Sequence, residues 1–109
     1  MKTGIDLVYV PKIITMMEHR ETIAKILHPS EMKPWNAYHL AGRIALKEAF
    51  FKCFETIPKW LDLEIIEQEN GKPKLVIHSE LKEQIKEIDY SISHDGEYVI
   101  AQVIIMNTS

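Results

Sequence analysis

The segment Ala41-Gly42-Arg43-Ile44-Ala45-Leu46-Lys47-Glu48-Ala49-Phe50-Phe51-Lys52 decides how this chain is read. It reads as one helix carrying three cations and a single carboxylate. Arg43 and Lys47 stand four residues apart and share a face, and Glu48 and Lys52 repeat the spacing on the neighbouring stripe. Such a helix can offer cations to phosphate oxygens and one hard oxygen ligand to a metal, the combination that chemistry on a pyrophosphate requires. A solvated helix face is the plainer reading of the same three cations. Glu48 shares its stripe with Ala37, Ala41, Ile44 and Ala45, so the sequence puts it beside the core or in a pair with Lys52.

Working outward, Pro34 can begin this helix, which then runs to about Phe54, with Pro58 breaking the pattern beyond it. Upstream, residues 3–10 read as a strand rich in β-branched residues. Asp6 interrupts that strand. A carboxylate there needs a partner, a metal or solvent. Pro11 suits the first turn of a helix over residues 11–27, which His28-Pro29 stops. Downstream, residues 62–68 form a strand, Asn70-Gly71 a hairpin turn and Lys74–His78 its return. Ser79 caps a short amphipathic helix reaching Ile88. Residues 89–94 and 97–106 are two strands around Asp95-Gly96. The last of them is apolar on both parities, as expected at a sheet centre or against another subunit. Helices mixed with hairpins make the class α+β.

The 109 residues suggest a single domain, 1–109, and 46% hydrophobic residues suit a soluble globule. A net charge of −3 gives no global positive field for nucleic acid. No apolar run approaches the ~18 residues of a membrane span, and no secretory h-region opens the chain. The single Cys53 excludes an intrachain disulfide, reads as a core thiol, and makes a reducing, cytoplasmic setting the default. Phe50, Phe51 and Phe54 read as core. His94, just before the Asp95-Gly96 turn, is either a structural hydrogen-bonder or a group for phosphate recognition or proton transfer. His19, His28, His39 and His78 show no ligand spacing and read as surface or packing residues.

Four stretches in order resemble the holo-acyl-carrier-protein synthases, the small members of the 4′-phosphopantetheinyl transferase superfamily. Gly4-Ile5-Asp6 through Ile13 is similar to their opening Gly-x-Asp motif, and the helix through Lys52 to their helical signature. Asn70-Gly71-Lys72-Pro73 is similar to their Gly-x-Pro turn, and Ser91–His94 with Tyr98 and Ala101–Ile104 to their C-terminal hairpin. The resemblance implies a fold in which an antiparallel sheet packs against a long signature helix. It implies transfer of 4′-phosphopantetheine from coenzyme A to a serine of an acyl carrier protein, with release of adenosine 3′,5′-bisphosphate. It makes Asp6 and Glu48 the ligands of Mg2+. It places Arg43, Lys47, Lys52 and His94 around the coenzyme A phosphates, with Glu48, Lys52 and His94 as the catalytic set. Glu48, His94 or a water on the ion could take the serine proton, and the sequence does not choose. It implies a homotrimer with active sites between subunits, and a first helix that meets the acidic carrier through Lys12 and Met16. Whether the carrier belongs to fatty-acid or polyketide synthesis stays open.

Two departures stand out. The glycine-rich loop that follows the helix in the family is here Glu55-Thr56-Ile57-Pro58-Lys59-Trp60, which offers Lys59 or Trp60 in compensation. The arginine usual before Ile13 is Lys12. The altered loop motivates an alternative, a weak or inactive relative that binds coenzyme A or a carrier as an accessory subunit.

Overall fold

A computed structural model of the chain describes residues 1–108. Strand β1 (Lys2–Tyr9) leads directly into helix α1 (Val10–Met16), then α2 (Arg20–Ile26) and the long helix α3 (Ala37–Phe51). A short antiparallel pair follows, β2 (Leu63–Ile66) and β3 (Lys74–Ile77). The chain closes with the hairpin β4 (Ile85–Asp95) and β5 (Tyr98–Asn107). Strands β1, β5 and β4 form one antiparallel sheet in that order. The two-faced apolar strand therefore sits at the sheet centre, as its composition predicts.

The expected helix over 11–27 is two helices. At 3.6 residues per turn, Ile26 would fall roughly 220° around a continuous helix from Ile13, almost on its opposite side. Both side chains are buried. Backbone bonds from Glu18 to Thr15 and from His19 to Met16 tighten the turn, and the chain restarts at Arg20 on a new heading. Helix α3 starts at Ala37 rather than Pro34, because the Asn36 side chain accepts the amides of Tyr38 and His39 at 2.9 and 3.4 Å. The expected helix from Ser79 to Ile88 reduces to a 3₁₀ turn over Glu80–Gln84. Ser79 does cap it, but Ile85 and Ile88 pair with Asn107 and Ile105 of β5, so strand pairing takes the rest.

One face of the sheet packs under α3, burying Val8, Val99, Ala101 and Val103 against Ala41, Ala45, Ala49 and Phe50. The closest approach is at Gly4. A Cβ there would lie 1.8 Å from the Ala49 carbonyl oxygen and 3.2 Å from Lys52 Cβ. Strand and helix therefore meet backbone to backbone, which carries the last turn of α3 to the residues beside Asp6. Gly4→Ala is expected to cost about 1–3 kcal/mol through forced separation of α3 from β1, read as a lower midpoint in urea unfolding. The other face bears Ile5, Leu7 and Tyr9 of β1 beside Ile100, Tyr98 and Ile104 of β5, largely uncovered within the chain.

Candidate active site

Asp6 lies on an edge strand yet is only 7% exposed, because strand alternation turns it to the face that α3 covers. One of its oxygens, Oδ1, accepts from Lys52 Nζ at 3.1 Å, and Lys52 also donates to the Ile5 carbonyl at 2.9 Å. The other, Oδ2, is buried and has no protein partner. The Glu48 carboxyl neighbours Asp6. Burial first, and then the bond and charge of Asp6, raise its pKa to about 7, against a smaller pull from Lys52. Two carboxyls and one ammonium thus meet where β1 passes beneath the last turn of α3. An orphaned buried oxygen beside a carboxyl that resists ionisation is a donor set short of positive charge. It fits a hard divalent cation such as Mg2+, which typically takes one or two carboxylates and completes its shell with water and phosphate.

The N-terminal half of α3 borders a cleft of about 510 Å³ lined by Tyr38, Gly42, Arg43, Glu67, His94 and others. His94 pairs with Val99 across the hairpin, so it faces the helix side of the sheet. Its ring meets Tyr38 edge-on at 6.2 Å, and Tyr38 is itself tied to the Gly96 carbonyl at 3.0 Å. Arg43 lies over the Trp35 ring and donates to Glu67 Oε1 at 3.3 Å. Lys33 binds the same carboxylate and, together with Arg43, holds its pKa below the usual range. Asp6 and His94 share the inner face, two strands apart and two residues offset along them, since Asp6 pairs with Ala101 and His94 with Val99. Strand spacing and rise put their Cα atoms roughly 12 Å apart. Both regions border α3, the cleft at Arg43 and the carboxyls at Glu48.

Lys47 is the correction. Its side chain is completely buried. The ammonium donates to the Ile26 carbonyl at 2.9 Å, Glu31 Oε1 at 2.9 Å and the Trp60 carbonyl at 3.3 Å, which uses all three of its protons. Burial lowers its pKa, with Glu31 opposing. It is a core ion pair and offers nothing to a phosphate. The four-residue spacing from Arg43 is real, but on a helix enclosed on that side it aims Lys47 into the interior. Trp60 packs edge-on against Phe51 at 4.9 Å, so the loop that replaces the glycine-rich segment closes the core around Lys47. Lys59 remains exposed.

Lys12 is exposed on α1 and Met16 half-buried on it, with Ile14 54% exposed between them. Cys53 is a core thiol, pushed up to about 11 by burial. Glu31 and Glu67, which fix Lys47 and Arg43, carry no signal in the sequence; each pairs with its cation across more than a dozen residues.

An α+β scaffold with a carboxylate pair and a cationic cleft along one helix defines the class, and comparison with known proteins defines the family. Residues 8–104 match the family described as 4′-phosphopantetheinyl transferase, N-terminal. The holo-[acyl-carrier-protein] synthase of Halalkalibacterium halodurans is 37% identical over 119 residues, covering 98% of this chain and 96% of that one. The enzyme of the same name from Ligilactobacillus salivarius is 39% identical, covering 94% and 84%. The crystal structure of Helicobacter pylori holo-[acyl-carrier-protein] synthase in complex with coenzyme A is similar with a TM-score of 0.84 at 28% identity, over 95% of this chain and 99% of that chain. The Bacillus anthracis enzyme, in complex with CoA (3′,5′-ADP), gives 0.80 at 28% identity, over 99% and 96%. The chain belongs to the 4′-phosphopantetheinyl transferase family, and within it to the holo-[acyl-carrier-protein] synthases.

Proposed function

We propose that this chain moves 4′-phosphopantetheine from coenzyme A to a serine of an acyl carrier protein, with Mg2+ held by Asp6 and Glu48. The observation that carries the reading is the meeting of these two carboxyls, 42 positions apart in sequence, beside Lys52 and on the helix that also carries Arg43 to the cleft with His94. When bound, the ion supplies charge neutralisation across the diphosphate. The residues do the rest. Lys52 is a point charge 3.1 Å from Asp6, placed to follow the phosphate that takes part in the exchange. Arg43 has a planar fork already ordered over Trp35, and an incoming phosphate competes with Glu67 for it. Glu48 and His94 are the side chains the site offers to accept the serine proton. Lys12 and Met16 offer a cation and an apolar contact to the acidic carrier, on the helix that begins immediately after β1. The one buried free thiol suits a reducing compartment, and we place the reaction in the cytoplasm.

The test is a mass measurement on a panel of apo carrier proteins mixed with coenzyme A, Mg2+ and this protein. A gain of the phosphopantetheine mass is expected on at least one. Calorimetric binding of coenzyme A without any gain, at high enzyme, would favour the accessory-subunit reading instead.

We also propose a homotrimer, its copies joined through the uncovered sheet face. Leu7 and Ile5 are 60% and 52% exposed there, more apolar surface than an isolated chain normally leaves open. Leu7→Asp should convert the oligomer to monomer in sedimentation, with far-ultraviolet circular dichroism largely retained.

A further inference from the structure

We infer that His28, Glu64 and His78 form a second metal site, a facial set of two imidazoles and one carboxylate for a borderline divalent ion such as Zn2+. The site shares no residue with the transferase machinery and does not rest on that reading. One nitrogen from each ring and one Glu64 oxygen lie within 4.8 Å of one another, the single such grouping of three or more among the described residues. Tetrahedral coordination at zinc distances needs ligand atoms about 3.4 Å apart, so small side-chain rotations close the set.

The surroundings are those of a prepared site. His28 Nε2 lies 2.7 Å from the Leu61 carbonyl oxygen. A carbonyl can only accept, so this nitrogen carries the proton and Nδ1 keeps its lone pair, the arrangement by which protein carbonyls orient ligating histidines. Ser30 Oγ donates to Glu64 Oε2, and His78 Nε2 donates to Oε1 at 2.6 Å, a proton that a bound ion displaces. The two histidine rings lie 4.8 Å apart, tilted by 39°. Behind them, Glu31 fixes the backbone of both sides. It accepts the His28 amide at 2.7 Å on Oε1 and the amide of Ile65, next to Glu64, at 3.2 Å on Oε2. The ligands are therefore carried on segments already joined through the buried Lys47–Glu31 pair.

An ion here would clip strands β2 and β3 to the segment after α2. Glu67, Gln68, Gly71 and Pro73, in and around the turn of that hairpin, line the Arg43 cleft, so the clip would hold one wall of it. No sequence spacing reveals this site, because His28 and His78 are 50 positions apart and only the return of β3 beside β2 brings them together.

The experiment uses untagged, metal-stripped protein, with Zn2+ titrated against a chromophoric chelator and Co2+ titrated by its visible absorption. One equivalent of Zn2+ per chain is expected, with a Co2+ spectrum of nitrogen–oxygen ligation. Affinity should fall at least tenfold in His78→Gln, an exposed position where folding is not at risk, and likewise in Glu64→Gln. Asp6→Asn should leave it unchanged. Failure to bind an equivalent, equal affinity in His78→Gln, or loss of the equivalent in Asp6→Asn would each overturn the inference. The last outcome would move the ion to the carboxylate pair, and neither of the first two bears on the transfer reaction.

Discussion

Lys47→Met is expected to lose about 3–5 kcal/mol of folding stability, because it leaves Glu31 as a buried carboxylate without its counter-charge. For a chain of this size that is a fall in melting temperature of roughly 15–30 °C. The methionine fills the space, so the loss is electrostatic rather than a cavity effect. Glu31 cannot escape to water, since it is buried and fixed by the amides of His28 and Ile65 as well as by Lys47. The double variant Lys47→Met, Glu31→Gln should recover a large part of the loss. It removes both charges, and the glutamine carbonyl can still accept an amide. Urea unfolding of the single and double variants checks this, and the coupling between the two positions is the informative quantity. The same pair decides between roles for Lys47. If it gripped coenzyme A phosphates, Lys47→Met would fold normally and raise the KM for coenzyme A.

That outcome bears on what a sequence can disclose. The fold class was legible because strand alternation, the Asp95-Gly96 hairpin and a long amphipathic run are local signals, and each survives in β1, in the β4–β5 hairpin and in α3. Asp6 was legible as an anomaly, since a carboxylate within Ile5-Asp6-Leu7-Val8 must be answered by something. Lys47 was misassigned because helical spacing fixes angle but not environment. The stripe it occupies points into the core only because the 55–60 loop and the segment after α2 close over it. The lone helix expected over 11–27 split for a similar reason, as two apolar clusters on opposite sides of one helix cannot face one core. His28 and His78 were invisible as partners, since no pattern within the chain encodes which strand returns beside which. What escaped the sequence is in each case a contact between distant segments.

Asp6→Asn is expected to reduce transfer by about 100- to 1000-fold, the rate equivalent of roughly 3–4 kcal/mol of electrostatic stabilisation removed from the diphosphate. Glu48→Gln should do the same, and neither should unfold the chain. The stability measurement is as telling as the rate. The Glu48 carboxyl titrates at about 7 in the folded protein against an ordinary value of 4.5, so the folded state binds this proton more tightly than the unfolded one. Stability from this group is therefore complete below about pH 4.5 and is lost as pH rises through about 7. In the presence of a chelator, the melting temperature of the wild type should fall over that window. Part of the raised value comes from the bond and charge of Asp6, so in Asp6→Asn the fall should be shallower, with burial against the pull of Lys52 remaining. Mg2+ reverses the slope in the wild type if both carboxylates hold it, because an ion that binds only the ionised pair stabilises most where the pair is most charged. In Asp6→Asn that rescue should disappear. Equal slopes for the two proteins, or equal rescue by Mg2+, would mean that Asp6 and Glu48 do not act as one site.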